Sequence, residues 1–482
     1  MKKLGFREKV GYGLGDTASN IVFQVVLNFM MYFYTDVFGI TAAAAGTLML
    51  VVRLFDMVTD PIMGGVADRT QTRWGKYRPY LIWVAIPYGL FAIAAFTTPD
   101  WAETNKLIYA YISYALLMTA YTAINIPYGA LGGVMTNNPN ERGELQGYRF
   151  TLAMVGSFIV NSSLLYLVAT LGRGNSQNGF QYAMAVLSLV ALVCFVLCFL
   201  LTKERAPSES PRNEHTLGDT FKGILNDFAT LVRSNRQWAV IAVATFFLLL
   251  IAVMRGGSTL YYTKYVLVCT EGAAINLGFV KYDTCDVSEL GTAFLTIGTL
   301  GSIVGAIFTI MVTKVLCKTV IFKAAAIGFV LASVVLYFVP NTHILLAMLL
   351  NTIIGFFHIM MISLVFAMIA DCVDWGELVT KKRATAMTFS GHLFALKLGA
   401  AIGGSMLGWL LALYGYQAPI AGIDQLQTSQ ALDGISLLMS LLPAGCGVVV
   451  FGLSWVYRLN SATIRQVQEK LEEQRAKLDG IE

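Results

Sequence analysis

Runs of roughly 20 apolar residues recur along the whole chain, each long enough to cross a ~30 Å hydrocarbon core as a helix. Short polar breaks separate them. The pattern predicts twelve spans, at 12–39, 42–67, 79–97, 106–134, 147–171, 180–202, 237–264, 289–313, 319–339, 343–371, 384–414 and 434–458. Sustained two-residue alternation is absent from the sequence, which argues against an outer-membrane barrel. Six spans precede a long polar connection and six follow it.

The predicted domains are a six-helix bundle at 1–202, a cytoplasmic linker with a surface helix at 203–236, a second six-helix bundle at 237–458, and a cytoplasmic helix at 459–482. The linker "TKERAPSESPRNEHTLGD" is rich in charge, Ser and Pro and leads into the amphipathic "TFKGILNDFATLVRSN". The tail "SATIRQVQEKLEEQRAKLDGIE" opens with a serine cap and mixes charge signs at helical spacing. The fold class is therefore an all-α membrane protein of twelve transmembrane helices. Two six-helix bundles joined by a cytoplasmic linker match the major facilitator architecture, in which paired repeats rock about a midplane site.

Composition agrees with this reading. Of 482 residues, 56% are hydrophobic and 13% charged, against about a quarter charged in a soluble domain. The opening "MKKLGFREKVGYGLGDTASN" lacks a small-residue cleavage site, so the first helix is expected to be retained. The net charge of +5 does not point to nucleic acid; its placement is the useful signal. Lys2, Lys3, Arg7 and Lys9, then Arg69, Arg73, Lys76 and Arg78, then Lys203, Arg205 and Arg212, then Lys381, Lys382 and Arg383 occupy alternate loops. The other loops carry only Lys106, Arg173, Lys264 and Lys281. The positive-inside rule then puts both termini in the cytoplasm. Cys269 and Cys285 fall in one outer loop, where a disulfide is permitted. The other cysteines read as small apolar residues, and no metal-ligand spacing occurs.

Charges inside the spans carry the candidate chemistry. "RLFDMVTDPIMGG" puts Arg53, Asp56 and Asp60 in a segment where each charge costs roughly 2.5–3.5 kcal/mol on insertion scales. Asp56 and Asp60 are four residues apart and share a helix face, with Thr59 beside them and Arg53 one turn earlier. One reading is a structural Arg53–Asp56 pair. The other is a cation site, because two carboxylates against one arginine leave excess negative charge.

"YTDVFG" at 34–39, "RLFDMVTDPIMGGVADRTQTRWGKYRP" at 53–79, "YTAINIPYGALGG" at 121–133 and "ADCVDWGE" at 370–377 resemble the glycoside–pentoside–hexuronide:cation symporter family. These motifs lie in both halves. The resemblance implies sugar uptake coupled to Na⁺ or H⁺ across a bacterial inner membrane, with no other cofactor. It also implies a cation site at Asp56, Thr59, Asp60 and Thr122. The sugar-binding aspartates of the family's galactoside carriers are matched here by Asn20 and Asn125, a lysine by Ser19 and a stacking tryptophan by Gly129. Galactoside specificity is therefore not expected. Asn both donates and accepts, and so can still hold sugar hydroxyls.

Arg149 and Lys397 match cations that the family retains, and Arg255 is an additional one, for which Asp16 or a helix II aspartate is a candidate partner. His358 and His392 are candidate sugar contacts, and Phe23, Tyr121 and Tyr128 candidate aromatic platforms. An anionic, hexuronide-like substrate is the alternative to a neutral glycoside. Asp371, Asp374, Glu377 and Arg383, and likewise Asp68, Arg69 and Arg73, are expected to form gate ion pairs at the inner face. The sequence lacks a nucleophile–base pair and a Walker-type phosphate loop, so neither an enzyme nor an ATP-driven pump is expected. A channel or a sensor is the remote alternative. The expected partners are sugar, coupling cation and bilayer, with a single chain as the working unit.

Overall fold

The computed structural model describes residues 4–136, 138–205, 235–269, 274–276, 281–283, 285–381, 385–420 and 422–479. Among these, eleven helices are long and apolar enough to cross a membrane, and the shorter Tyr80–Ala95 stretch makes a twelfth. The helices are α1 (Phe6–Tyr32), α2 (Ala42–Arg69), α3 (Tyr80–Trp83), α4 (Ala85–Ala95), α5 (Glu103–Met135), α6 (Pro139–Gly172) and α7 (Ser176–Leu201). Then follow α8 (Arg236–Tyr261), α9 (Val287–Val312), α10 (Lys318–Tyr337), α11 (Ile344–Thr380), α12 (Thr385–Leu413), α13 (Ser429–Met439), α14 (Leu441–Val456) and α15 (Ser461–Asp479). All twelve predicted spans coincide with these elements. The linker residues 206–234, including the expected surface helix, lie outside the described residues.

Two spans are broken where proline removes a helix hydrogen bond and crowds the carbonyl four residues back. Pro87 follows the α3/α4 break at Val84, and Pro443 follows the α13/α14 break at Ser440. Polar caps start others: Thr41 accepts from the Ala44 N–H at the head of α2, and Asn175 accepts from the Gln177 and Asn178 N–H groups at the head of α7. α1 and α8 each run into a π-helical turn, Phe33–Phe38 and Tyr262–Val266. The Gly39 N–H reaches the Tyr34 carbonyl and the Leu267 N–H the Tyr262 carbonyl, both at 3.1 Å, the five-residue spacing of a π turn.

The chain forms two compact units. One comprises Met1–Pro211, Gly256–Thr299 and Gly404–Ile435; the other comprises Arg212–Arg255, Leu300–Gly403 and Ser436–Glu482. In the first, α1 packs on α6 and α7, α2 on α5, and α4 on α5 and α7. Its core is aromatic, with Phe33, Phe96 and Phe180 mutually packed and fully buried. In the second, α10 packs on α11 and α14. A short antiparallel hairpin, Ala274–Asn276 with Lys281–Asp283, lies in the loop before α9. In that loop Cys269 and Cys285 are joined as a disulfide with Cα atoms 5.1 Å apart.

The loop after α2 is anchored by one carboxylate. Glu204 accepts the N–H groups of Lys76 (2.8 Å), Tyr77 (2.8 Å) and Arg78 (2.9 Å). Gly75 makes this possible: its φ is +112°, and a Cβ there would sit 2.6 Å from Glu204 Oε1.

The tail helix is capped by Asn460, whose Oδ1 accepts from the Thr463 N–H (2.9 Å), and not by the serine expected from sequence. Ser461 is engaged elsewhere: its N–H and hydroxyl donate to Cys317 Sγ. Burial alone would raise the Cys317 thiol, but hydrogen bonds from Ser461 and Thr319 outweigh it and bring the pKa to about 7. A thiolate is thus favoured in the docked state. Its contribution to docking of α15 is complete above the ordinary value of 9.0 and is lost as pH falls through about 7. Alkylation of Cys317 followed by mass spectrometry should rise to half its maximum near pH 7, and Ser461→Ala should move that midpoint upward.

Candidate functional site

α2 is two-faced in an unusual sense. Leu54, Phe55, Val58 and Ile62 are exposed, as suits a lipid-facing stripe, whereas Arg53 and Asp56 are buried on the opposite side. Asp56 is 1% exposed, so water does not solvate its carboxylate. The α5 residue Thr122, also buried, reaches both aspartates: its Oγ1 lies 2.5 Å from Asp56 Oδ1 and 3.0 Å from Asp60 Oδ1. Arg53 places its guanidinium over the Phe23 ring, 5.6 Å from the centroid.

The Thr122 contact contains a shortage. A hydroxyl has one hydrogen and can donate to one of the two carboxylate oxygens. The second oxygen then faces a lone pair at hydrogen-bond distance. A proton on one carboxyl, or a cation shared by the three oxygens, relieves that clash. The donor set is all oxygen, which fits a hard cation such as Na⁺ and equally a proton. Thr59, the fourth expected ligand, donates its hydroxyl to the Asp56 backbone carbonyl at 2.9 Å, so its proton is already used.

A second cluster lies on α1, α5 and α6. Arg149 Nε is 3.2 Å from Asp16 Oδ2, and its guanidinium stacks over Tyr128, 5.2 Å from the ring centroid. Tyr128 is fully buried and donates to the Tyr12 carbonyl. Asn20 donates to the Asp16 carbonyl at 2.9 Å, and Asn125 to the Tyr121 carbonyl at 3.0 Å. Each amide therefore keeps its carbonyl oxygen and one N–H for other use. Phe23 and Tyr121 stack with centroids 5.7 Å apart, beside Arg53. Asp16 is the partner of Arg149, a pairing that the sequence did not indicate.

The family model for MFS/sugar transport proteins matches residues 11–461. The chain belongs to that family. It is 37% identical over 97% of its length to the inner membrane symporter YicJ of Escherichia coli (strain K12), covering 95% of that protein. It is 30% identical to the isoprimeverose transporter of Lactiplantibacillus pentosus, with 93% of this chain and 86% of that protein covered. Among solved structures, the nucleoside transporter NupG superposes with a TM-score of 0.60 at 13% identity, over 93% of this chain and 99% of the other. That likeness concerns the fold. The protein is a multi-pass membrane transporter of the symporter kind and not an enzyme.

In the transporter's second unit the expected site residues have local partners. Arg255 donates to Asn351 Oδ1 at 2.7 Å. His358 Nε2 is 3.0 Å from the Leu248 carbonyl, so that nitrogen is the protonated one. His392 is fully buried, with Nδ1 3.2 Å from Thr245 Oγ1 and its ring edge-on to Phe366. Lys397 is half-buried on α12.

The residues expected at an inner gate have the following partners among the described residues. Asp68 meets Lys76 at 3.2 Å and accepts from the Tyr77 hydroxyl at 2.8 Å, while Arg73 stacks on Trp74. Arg69 ends α2 and is exposed. Lys318, which sequence reasoning passed over, holds Asp371 with both carboxylate oxygens at 2.7–2.8 Å. Asp374 and Glu377 follow on the same helix, half-buried. Arg383 lies outside the described residues. Lys318 sits at a span edge, where a charge is unremarkable until its partner is known.

Stranding one member of the Asp16–Arg149 pair leaves a buried charge, at a cost of about 3 kcal/mol. Arg149→Ala should therefore lower the melting temperature of detergent-purified protein, and Asp16→Asn combined with Arg149→Gln should recover most of the loss.

Proposed function

We propose that the transporter imports a neutral glycoside by symport with Na⁺ or H⁺, by alternating access, with both termini in the cytoplasm and one chain as the working unit. Asp56, Asp60 and Thr122 hold the cation, with Thr59 bracing the turn between the aspartates. The observation that carries the cation assignment is the single Thr122 hydrogen set between two carboxylate oxygens. Oxygens from two carboxylates and one hydroxyl converge there, a donor set suited to the coupling ion.

The neutral-substrate reading rests on Arg149. Asp16 already matches its charge, so a substrate carboxylate arriving there would compete with a built-in one. Asn20, Asn125 and the stacked Phe23 and Tyr121 offer what a neutral sugar needs: paired donors and acceptors for hydroxyls, and an apolar ring face. The roles of Arg255, His358, His392 and Lys397 as further sugar contacts, and of Asp68, Asp371, Asp374, Glu377, Arg69, Arg73 and Arg383 at an inner gate, belong to the same proposal. The relatives' names support sugar transport: one of them is a transporter of isoprimeverose.

Two measurements test the proposal. Asp56→Cys and Asp60→Cys should each abolish cation-driven accumulation in membrane vesicles while leaving sugar binding weakened but detectable; concentrative uptake at the wild-type level by either variant refutes the cation site. Glucosides and xylosides should compete with a labelled substrate and glucuronides should not. Effective competition by a glucuronide would assign Arg149 or Arg255 to a substrate carboxylate.

A further inference from the structure

The end of α1 opposite the N-terminus holds a buried polar knot that the cation and sugar sites do not use. The Asp36 side chain is 1% exposed. Its Oδ1 accepts from Lys264 Nζ (3.2 Å) and the Tyr265 hydroxyl (2.8 Å). Its Oδ2 accepts from the Tyr416 hydroxyl (2.7 Å) and Thr35 Oγ1 (2.8 Å), and Thr35 in turn meets the Tyr261 hydroxyl. Lys264 also bonds the exposed Asp424, at 2.6 Å. One carboxylate thus joins three separate parts of the chain: the end of α1, the end of α8, and the segment after α12.

Three further features set this knot apart from ordinary packing. Thr35, Asp36, Lys264 and Tyr265 sit on the two π-helical turns, Phe33–Phe38 and Tyr262–Val266, and such turns are frequent at functional sites. Deeper in the same unit a glycine seam lets neighbouring helices come close. A Cβ on Gly256 of α8 would sit 3.0 Å from Leu27 Cδ2 of α1, and one on Gly46 of α2 would sit 2.8 Å from the Ser405 carbonyl oxygen of α12. At these points the glycine adds no side chain that would have to be unpacked. Finally, a cavity of about 1090 Å³ lies against the knot, with Tyr32, Asp36, Lys264, Asp424, Glu103 and Lys106 among its lining residues. Water in that cavity can rehydrate the charges as they separate. A permanent joint has no need of buried charge, because apolar packing of equal volume avoids the desolvation cost. A joint that must open and close in one register is better served by directional bonds that water can replace.

We propose that Asp36 is the pin of an external latch, made and broken once in each transport cycle, with Lys264, Tyr265 and Tyr416 as its releasable partners and Asp424 as the outer holder of Lys264. The word external rests on the membrane orientation proposed above. With the latch made, α8 and the segment after α12 are held against α1. With it broken, the glycine seam parts and the pathway opens on that side.

The test uses the full chain carrying Leu27→Cys, nine residues deeper on α1 than the pin. Labelling by a membrane-impermeant maleimide is measured in right-side-out and in inside-out vesicles, and the same chain without Leu27→Cys gives the background. Adding Asp36→Asn or Lys264→Gln should raise labelling several-fold and slow sugar uptake. Tyr416→Phe, which keeps the ring and removes one donor, should act in the same direction with a smaller effect. If Asp36→Asn does not reach the membrane, Tyr416→Phe and Asp424→Asn carry the test. Unchanged labelling in the variants that are present at the wild-type level overturns the latch. A rise confined to inside-out vesicles upholds the latch and overturns the orientation instead.

Discussion

A charge in hydrocarbon has to be matched where it sits, and this requirement organises the molecule. Leaving one buried charge without its partner costs about 3–5 kcal/mol, a large part of any protein's net stability. Arg149 is matched by Asp16, Lys264 by Asp36 and Asp424, Lys318 by Asp371. Asp56 and Asp60 share the Thr122 hydroxyl, and Arg53, one turn earlier on the same helix, interacts electrostatically with Asp56.

The backbone is shaped to present these groups. α2 turns its apolar stripe outward, which aims Asp56 inward from the same helix turn that exposes Phe55. π-helical turns end α1 and α8 and carry Asp36 and Lys264. Glu204 collects three backbone N–H groups and fixes the loop after α2 without using any of that loop's basic side chains. Those side chains are left to stack or pair: Arg73 on Trp74, Lys76 with Asp68. A loop rich in Lys and Arg thus takes its local order from its backbone.

The proposed sugar site follows the same economy of charge. Where galactoside carriers of the resembled family use carboxylates, this chain has Asn20 and Asn125, and Arg149 is paired with Asp16. Amides can donate and accept at once. They suit a ligand whose hydroxyls do both, and they bring no net charge that the bilayer would penalise.

The number of spans, the helical tail and the face shared by Asp56 and Asp60 were all legible in the sequence, because each depends on periodicity, length or the fixed geometry of one helix. The family was legible as well, from motifs spread over both halves. The pairing of charges was not. Asp16 with Arg149, Asp36 with Lys264 and Asp371 with Lys318 are separated by 133, 228 and 53 residues, and no local rule links them. The sequence likewise offered Ser461 as a cap, whereas the fold placed it against Cys317 and left the cap to Asn460. Local propensity determines that a helix forms and which residues share its face. Which residue on another helix meets them is decided only when the helices pack, because desolvation penalises every unmatched charge and so selects the arrangement in which each finds its partner.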